Sequence, residues 1–221
     1  MKPLDWQGPE LEELGKRVRE QLRIRARATR AALSDSVVAA RSRVIVDTLS
    51  RLEVVRQARS VALFWPRATQ REVDLRGLDA ELAGRGVLRF YPFMDPNGRG
   101  GFATGFRRIG STRELVSRGR GFAEPPADAP IAARGDIDLV IVPALAVTPE
   151  GHRLGYGSGF YDVTLPDVAP PALSIVVAYS FQLLAELPLE AHDVACDLIV
   201  TDRELFDPRS RLGAAKDTPR S

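Results

Sequence analysis

The run Asp138-Leu-Val-Ile-Val-Pro-Ala-Leu-Ala-Val147 is the most apolar in the chain, and a glycine-rich segment follows it directly. A strand with no polar alternation must be covered on both faces, and that is the habit of a parallel sheet between helices. The flanking segments agree. Ser60-Val-Ala-Leu-Phe-Trp65 and Val87-Leu-Arg-Phe-Tyr-Pro-Phe93 read as strands, with a helix over 73–84 between them that ends at Gly84 and Gly86. Residues 101–108 read as another strand, 111–118 as a short helix, and Pro125–Pro130 as a loop. The stretches 172–178 and 198–200 complete the sheet. The expected fold is α/β, a mainly parallel sheet flanked by helices in a single domain over 1–207, with a polar, disordered tail over 208–221.

Two helices come first. Leu11, Leu14, Val18 and Leu22 share one stripe of a helix over 10–31, while Arg19, Arg23, Arg27 and Arg30 recur on another. Ser34 and Asp35 are good N-caps for a second helix over 36–53, with Val38, Ile45, Leu49 and Leu52 inward. Between Lys16 and Arg30 lie seven basic residues and one acidic residue, Glu20, so this face needs an anionic partner or plentiful solvent. The whole chain is only +2, which demands neither nucleic acid nor a membrane. No apolar stretch nears the roughly 20 residues of a membrane span, and one cysteine, Cys196, suits a reducing compartment. A cytoplasmic monomer is the expectation.

The segment Gly151-His-Arg-Leu-Gly-Tyr-Gly-Ser-Gly-Phe-Tyr-Asp162 carries most of the chemistry. Gly155, Gly157 and Gly159 alternate, so the backbone can crowd a ligand, and bare amides ahead of a helix starting near Ser158 favour phosphate. Arg153 adds a forked cation. It is neither a dinucleotide fingerprint nor a P-loop, and by spacing alone a plain strand-to-helix connection is an equal reading.

The longer stretch Pro143–Asp162 closely resembles the signature of the 5-formyltetrahydrofolate cyclo-ligase family. Other segments fall in the family's order: Arg19-x-x-Leu22-Arg23, Glu72-Val73-Asp74, Gly121–Pro125, and Pro188-x-x-x-His192-Asp193. The likeness runs from about residue 15 to 202. Four positions depart from the pattern: Arg19 for lysine, Leu75 for threonine, Ala144 for glycine and Phe160 for tyrosine. The segment Pro66–Gln70 is longer than the pattern.

The resemblance implies ATP- and Mg²⁺-dependent cyclisation of 5-formyltetrahydrofolate, with ATP as co-substrate, and it implies roles. Arg19, Arg23 and the loop residues Arg153, Leu154, Gly155, Tyr156, Gly157, Ser158, Gly159, Phe160 and Tyr161 would bind ATP; Arg153 and Tyr161 would also serve catalysis. Asp162 and Asp193 would hold magnesium, and Phe64, Glu72, Tyr156 and Phe160 the folate. Each has a plainer reading beside it. Charge runs such as Arg25, Arg27 and Arg30 are usually solvated faces. Asp162 suits a helix N-terminus by its dipole, and Asp193 suits a loop turn. His192 and Cys196 read as structural. Two other functions stay open: another ATP- or phosphate-dependent enzyme on the same scaffold, and a nucleic-acid binder using the basic helix.

Overall fold

The computed structural model describes residues 9–98, 100–118 and 121–209. Seven strands form one sheet: β1 (Ser60–Ala62), β2 (Leu88–Pro96), β3 (Phe102–Ile109), β6 (Leu139–Pro143), β9 (Leu173–Val177), β10 (Leu198–Val200) and β11 (Leu205–Phe206), in the order β11-β10-β9-β6-β1-β2-β3. The five inner strands run parallel, while β3 and β11 close the edges antiparallel. Four short strands lie outside it: β4 (Val116–Ser117) pairs with β5 (Ala123–Glu124), and β7 (Ala146–Val147) with β8 (Arg153–Leu154).

The central strand β6 shows why the sheet is sandwiched. Leu139 and Ile141 point into one apolar cluster, with Ile45 and Leu49 of α2 (Asp35–Arg51) and Leu78 and Leu82 of α4 (Arg76–Gly84). Val140 and Val142 point the other way, towards Leu165 and Val168 of α5 (Phe160–Val168). Period-two alternation in an all-apolar strand thus feeds two cores. α4 carries the crossover from β1 to β2, and α5 the one from β6 to β9.

α2 starts where the sequence predicts, because the Ser34 side chain accepts a bond from the Val37 amide. It ends at Arg51, two residues early, with Leu52 as its C-cap, and α3 (Glu53–Gln57) follows. The 138–147 run is not one strand. Gln182 Nε2 donates to the carbonyls of both Ala144 and Leu145, at 2.9 and 2.8 Å, which takes them out of the ladder and turns the chain into β7. The helix expected over 111–118 is a single 3₁₀ turn, Thr112–Glu114, under a Ser111/Glu114 capping box, after which the chain becomes β4. The tail from residue 210 onward lies outside the described residues.

The helix α1 (Pro9–Ala31) reverses the usual expectation for an amphipathic helix. Its arginine face is the covered one: Arg19 and Arg30 are 4% and 2% exposed, whereas Leu11, Leu14 and Ile24 are 40–50% exposed. Arg30 was expected to be solvated with Arg25 and Arg27, and it is instead among the most deeply buried side chains.

Candidate active site

Going outward from β1, the chain moves to β2 on one side, while β6, β9 and β10 lie on the other. The order therefore reverses between β1 and β6, and open α/β sheets bind ligands in the crevice beyond the strand ends at such a point. A cleft of about 480 Å³ lies there. Phe64, Trp65, Arg67 and Glu72 reach it from the end of β1; Pro143, Arg153 and the 155–162 loop reach it from the end of β6. Pro92 and Met94 of β2, with Phe102 and Phe122, form an apolar arm.

The loop end of the cleft is built around backbone. Gly157 and Gly159 have φ of +102° and +66°, a left-handed region that favours glycine. Gly159 leads directly into α5, so the helix's free amides face the cleft. α1 lies against this loop. Arg23 Nε donates to the Gly155 carbonyl at 3.2 Å, and Arg27 Nη2 to the Tyr156 carbonyl at 2.9 Å. Arg30 Nη1 donates to the Tyr156 hydroxyl at 2.5 Å. Arg19, Arg23, Arg27 and Arg30 of α1 are thus spent on the loop and on one further segment, while Lys16, Arg17 and Arg25 stay exposed.

That further segment is 188–194. Arg19 Nη1 and Nη2 donate to the two Asp193 oxygens at 2.5 and 3.1 Å, and Nη1 also donates to the Pro188 carbonyl at 2.9 Å. Arg153 donates to the Val194 carbonyl and, through Nη2, to Asp162 Oδ1 at 2.8 Å. Each carboxylate expected at a metal is therefore paired with an arginine expected at phosphate. Glu190, His192 and Asp193 each bring a ligand atom within 4.8 Å of the others. Asp193 is not among the residues that line the cleft, but Glu190 and His192 are.

Glu72 is nearly buried, and Arg67 meets its carboxylate with its backbone amide, Nε and Nη2. Tyr156 sits beside this pair. Burial is the main cause that pushes its phenol well above the usual range, Glu72 adds to the shift, and Arg30 and Arg67 oppose it. Tyr161 is raised for the same first reason, and its hydroxyl is buried without a partner. It is a neutral donor, not a phenolate. Two expected residues contribute little open surface. Leu154 is fully buried with Ala146 and Leu187 and does not line the cleft. Phe160 lines it, yet its ring packs edge-on against Phe106 and Tyr161 in the core. Sequence reading passes over Arg67 and Arg30, and it takes Trp65, a candidate stacking surface at a strand end, for core. Arg30 had a signal, since it follows Arg19 by 11 residues, three helical turns, and so shares its face.

Residues 15–202 match the model of the 5-formyltetrahydrofolate cyclo-ligase family. The chain belongs to that family. A relative from Mycolicibacterium smegmatis named 5-formyltetrahydrofolate cyclo-ligase is 44% identical over 90 residues, 40% of this chain and 46% of the relative. One of the same name from Escherichia coli is 29% identical over 138 residues, 62% of this chain and 75% of the relative. The match thus spans less than half the length of the first relative. The NMR structure of Aquifex aeolicus 5,10-methenyltetrahydrofolate synthetase superposes with a TM-score of 0.75 at 29% identity, covering 92% of this chain and 95% of that one. The Mycoplasma pneumoniae synthetase shares the fold, with a TM-score of 0.64 at 22% identity over 83% of this chain and 98% of that one. Both the family and the mainly parallel α/β fold expected from the sequence are those found. Among the described residues, no helix is long and apolar enough to cross a membrane.

Proposed function

We propose that this cyclo-ligase family member converts 5-formyltetrahydrofolate and ATP into 5,10-methenyltetrahydrofolate, ADP and phosphate in the cleft between β1 and β6. The observation that carries this reading is the cleft's division. One end is glycine backbone, helix amides and arginines, and suits a triphosphate; the other is aromatic with one carboxylate, and suits a flat ring with N–H donors. ATP would lie along Gly155–Phe160 with Arg19, Arg23 and Arg153, and the folate along Phe64, Trp65, Tyr156 and Glu72.

A formamide carbonyl is a poor electrophile and its oxygen a poor leaving group. Transfer of the γ-phosphoryl group to that oxygen makes it a phosphate. The neighbouring folate nitrogen then attacks the carbon, phosphate departs, and the nitrogen's proton is released. Such a step needs positioning and charge neutralisation more than a nucleophile. Arg153, held by Asp162 and the Val194 carbonyl, would meet the migrating phosphoryl charge from the loop's edge. Tyr161 supplies a neutral, unpartnered hydroxyl in the same wall. Asp162 and Asp193, with Glu190 and His192 beside Asp193, would hold magnesium; hard carboxylate oxygens fit it. Magnesium would shield the triphosphate. A monomer in the cytoplasm remains our reading of the protein's state.

The test is direct. Protein, ATP, Mg²⁺ and 5-formyltetrahydrofolate are mixed, and the methenyl product is followed by its own absorbance. Product that needs both ATP and metal supports the reading. ATP binding without product would point to another ATP-dependent reaction on this scaffold.

A further inference from the structure

Glu72 does not wait open for a ligand. The Arg67 backbone amide donates to Oε2 at 2.7 Å, and its Nε and Nη2 donate to Oε1 at 3.0 and 2.7 Å. A carboxylate offers about four acceptor positions, so these three donors nearly fill it. The same guanidinium lies over the Tyr156 ring, 4.1 Å from its centroid. It lines the cleft, and the Arg67 side chain is 23% exposed. One residue therefore occupies both the carboxylate and an aromatic face of the wall where a planar donor would bind.

The chemistry of that residue matters. A pterin's pyrimidine ring contains a guanidine: its C2 carries an amino group and lies between N1 and N3–H. Its donor edge is planar, carries paired N–H groups and stacks on aromatics, as an arginine head does. We propose that Arg67 is a built-in stand-in for the substrate's pterin, its guanidinium filling the seat on Glu72 and Tyr156 that the pterin edge takes over on binding. This rests on the folate reading given above. Binding is then an exchange of one guanidine for another, and Arg67 sets the entry requirement: a ring without the 2-amino edge cannot displace it.

The surroundings suit an exchange. The backbone bond from Arg67 N to Glu72 keeps the carboxylate aimed when the side chain leaves. A 3₁₀ turn, Ala68–Gln70, and Arg71 at φ +48° hold that backbone in place. Arg30, buried and 5.2 Å from the Tyr156 ring centroid, remains in place as a second cation when the Arg67 side chain leaves.

The experiment is calorimetric titration of Arg67→Ala with 5-formyltetrahydrofolate in the absence of ATP. Binding should tighten roughly tenfold, because one charge-assisted pair no longer has to be broken. Methylguanidine should compete with the folate in Arg67→Ala and raise that variant's melting temperature, and do neither to the wild type. Weaker or unchanged folate binding in Arg67→Ala would overturn the proposal, since a permanent contact or a bystander gives those results. Arg67→Met keeps the stem over Tyr156 without the N–H groups and carries the same expectation if alanine does not fold. In the wild type, saturating folate should speed hydrogen exchange at Arg67 Nε, and unchanged protection there would equally overturn it. Glu72→Gln isolates the underlying reading. Unaltered folate affinity in that variant removes Glu72 from substrate recognition, while methylguanidine binding to Arg67→Ala still reports on the guanidine seat.

Discussion

Arg23 and Arg25 stand two residues apart on α1 and face different worlds. Arg23 is partly buried, donates to the Gly155 carbonyl and lines the cleft, whereas Arg25 is exposed. Removing Arg23 should cost one charged contact to a bound triphosphate, roughly 1.5–3 kcal/mol. Arg23→Ala should therefore raise the ATP requirement about tenfold or more and leave the folate requirement near its original value; Arg25→Ala should change neither. Steady-state kinetics with each substrate varied in turn reads both, and equal losses from the two variants would mean a diffuse basic field. Arg27 looks like the natural control from the sequence, but its bond to the Tyr156 carbonyl disqualifies it. Here lies the limit of reading single residues. Periodicity places Arg19, Arg23, Arg27 and Arg30 on one face, but whether that face meets solvent depends on two segments 126 to 174 residues away in sequence. Arg67 was illegible in part for the same reason: its partner Glu72 lies only five residues on, but Tyr156, which the guanidinium covers, comes from a distant loop.

Elements were easier to read where their cause is local. The apolar run of β6 and the Ser34 cap fix their elements through neighbours in sequence: the cap is where the pattern puts it, and β6 takes Leu139–Pro143 of the run expected over 138–147. Errors came where a distant group intervenes, as Gln182 does in breaking the 138–147 run. The β7–β8 hairpin that results is held against the approach to β10 at one glycine. Gly151 accepts a bond from the Cys196 amide at 2.9 Å, and its φ is +90°. A Cβ there would lie 2.2 Å from the Cys196 carbonyl oxygen, which is backbone and cannot rotate aside. Gly151→Ala should thus combine overpacking with a left-handed alanine, about 3 kcal/mol. In a chain of this size that lowers the melting temperature by roughly 6–12 °C. Gly155→Ala is the matched comparison, because a Cβ there meets nothing within 4 Å and φ is not left-handed. Thermal melts of the two variants should separate clearly, and coincident curves would show that the hairpin shifts freely on its seat. Because Arg153 and Leu154 form β8, the damage in Gly151→Ala should reach the site, with weaker ATP binding even below the melting transition.

At the scale of the whole molecule, the loop end of the cleft joins three stretches that share no local structure: α1, the 151–162 loop and the 188–194 segment. In the free protein their charges are matched among themselves. Arg19 is held by Asp193, Arg153 by Asp162, and Arg23 by Glu20. The first of these pairs is almost fully enclosed, with both side chains 5% exposed. Breaking such a pair leaves a desolvated charge alone, which is costly. ATP arriving without metal would have to draw arginines from carboxylates and leave buried anions beside a triphosphate. A divalent cation arriving without ATP would draw the carboxylates away and leave Arg19 unpaired. Together the two ligands exchange partners with both charges covered: phosphates take the arginines and the cation takes the carboxylates. We therefore expect strong positive coupling, in the usual range of about 1–3 kcal/mol or 5- to 150-fold in affinity. Ligands that bind only the folded state raise its stability in proportion to the logarithm of their saturation. Thermal melts with neither ligand, each alone and both together should then show a shift for MgATP well beyond the sum of the separate shifts. Asp193→Asn supplies the sign test. It frees Arg19 from its strongest partner, so metal-free ATP should stabilise this variant more than it stabilises the wild type, while the extra gain from Mg²⁺ shrinks. Additive shifts in the wild type, or an unchanged metal gain in Asp193→Asn, would mean that these pairs stay closed and the nucleotide is held by the loop amides and Arg23 alone.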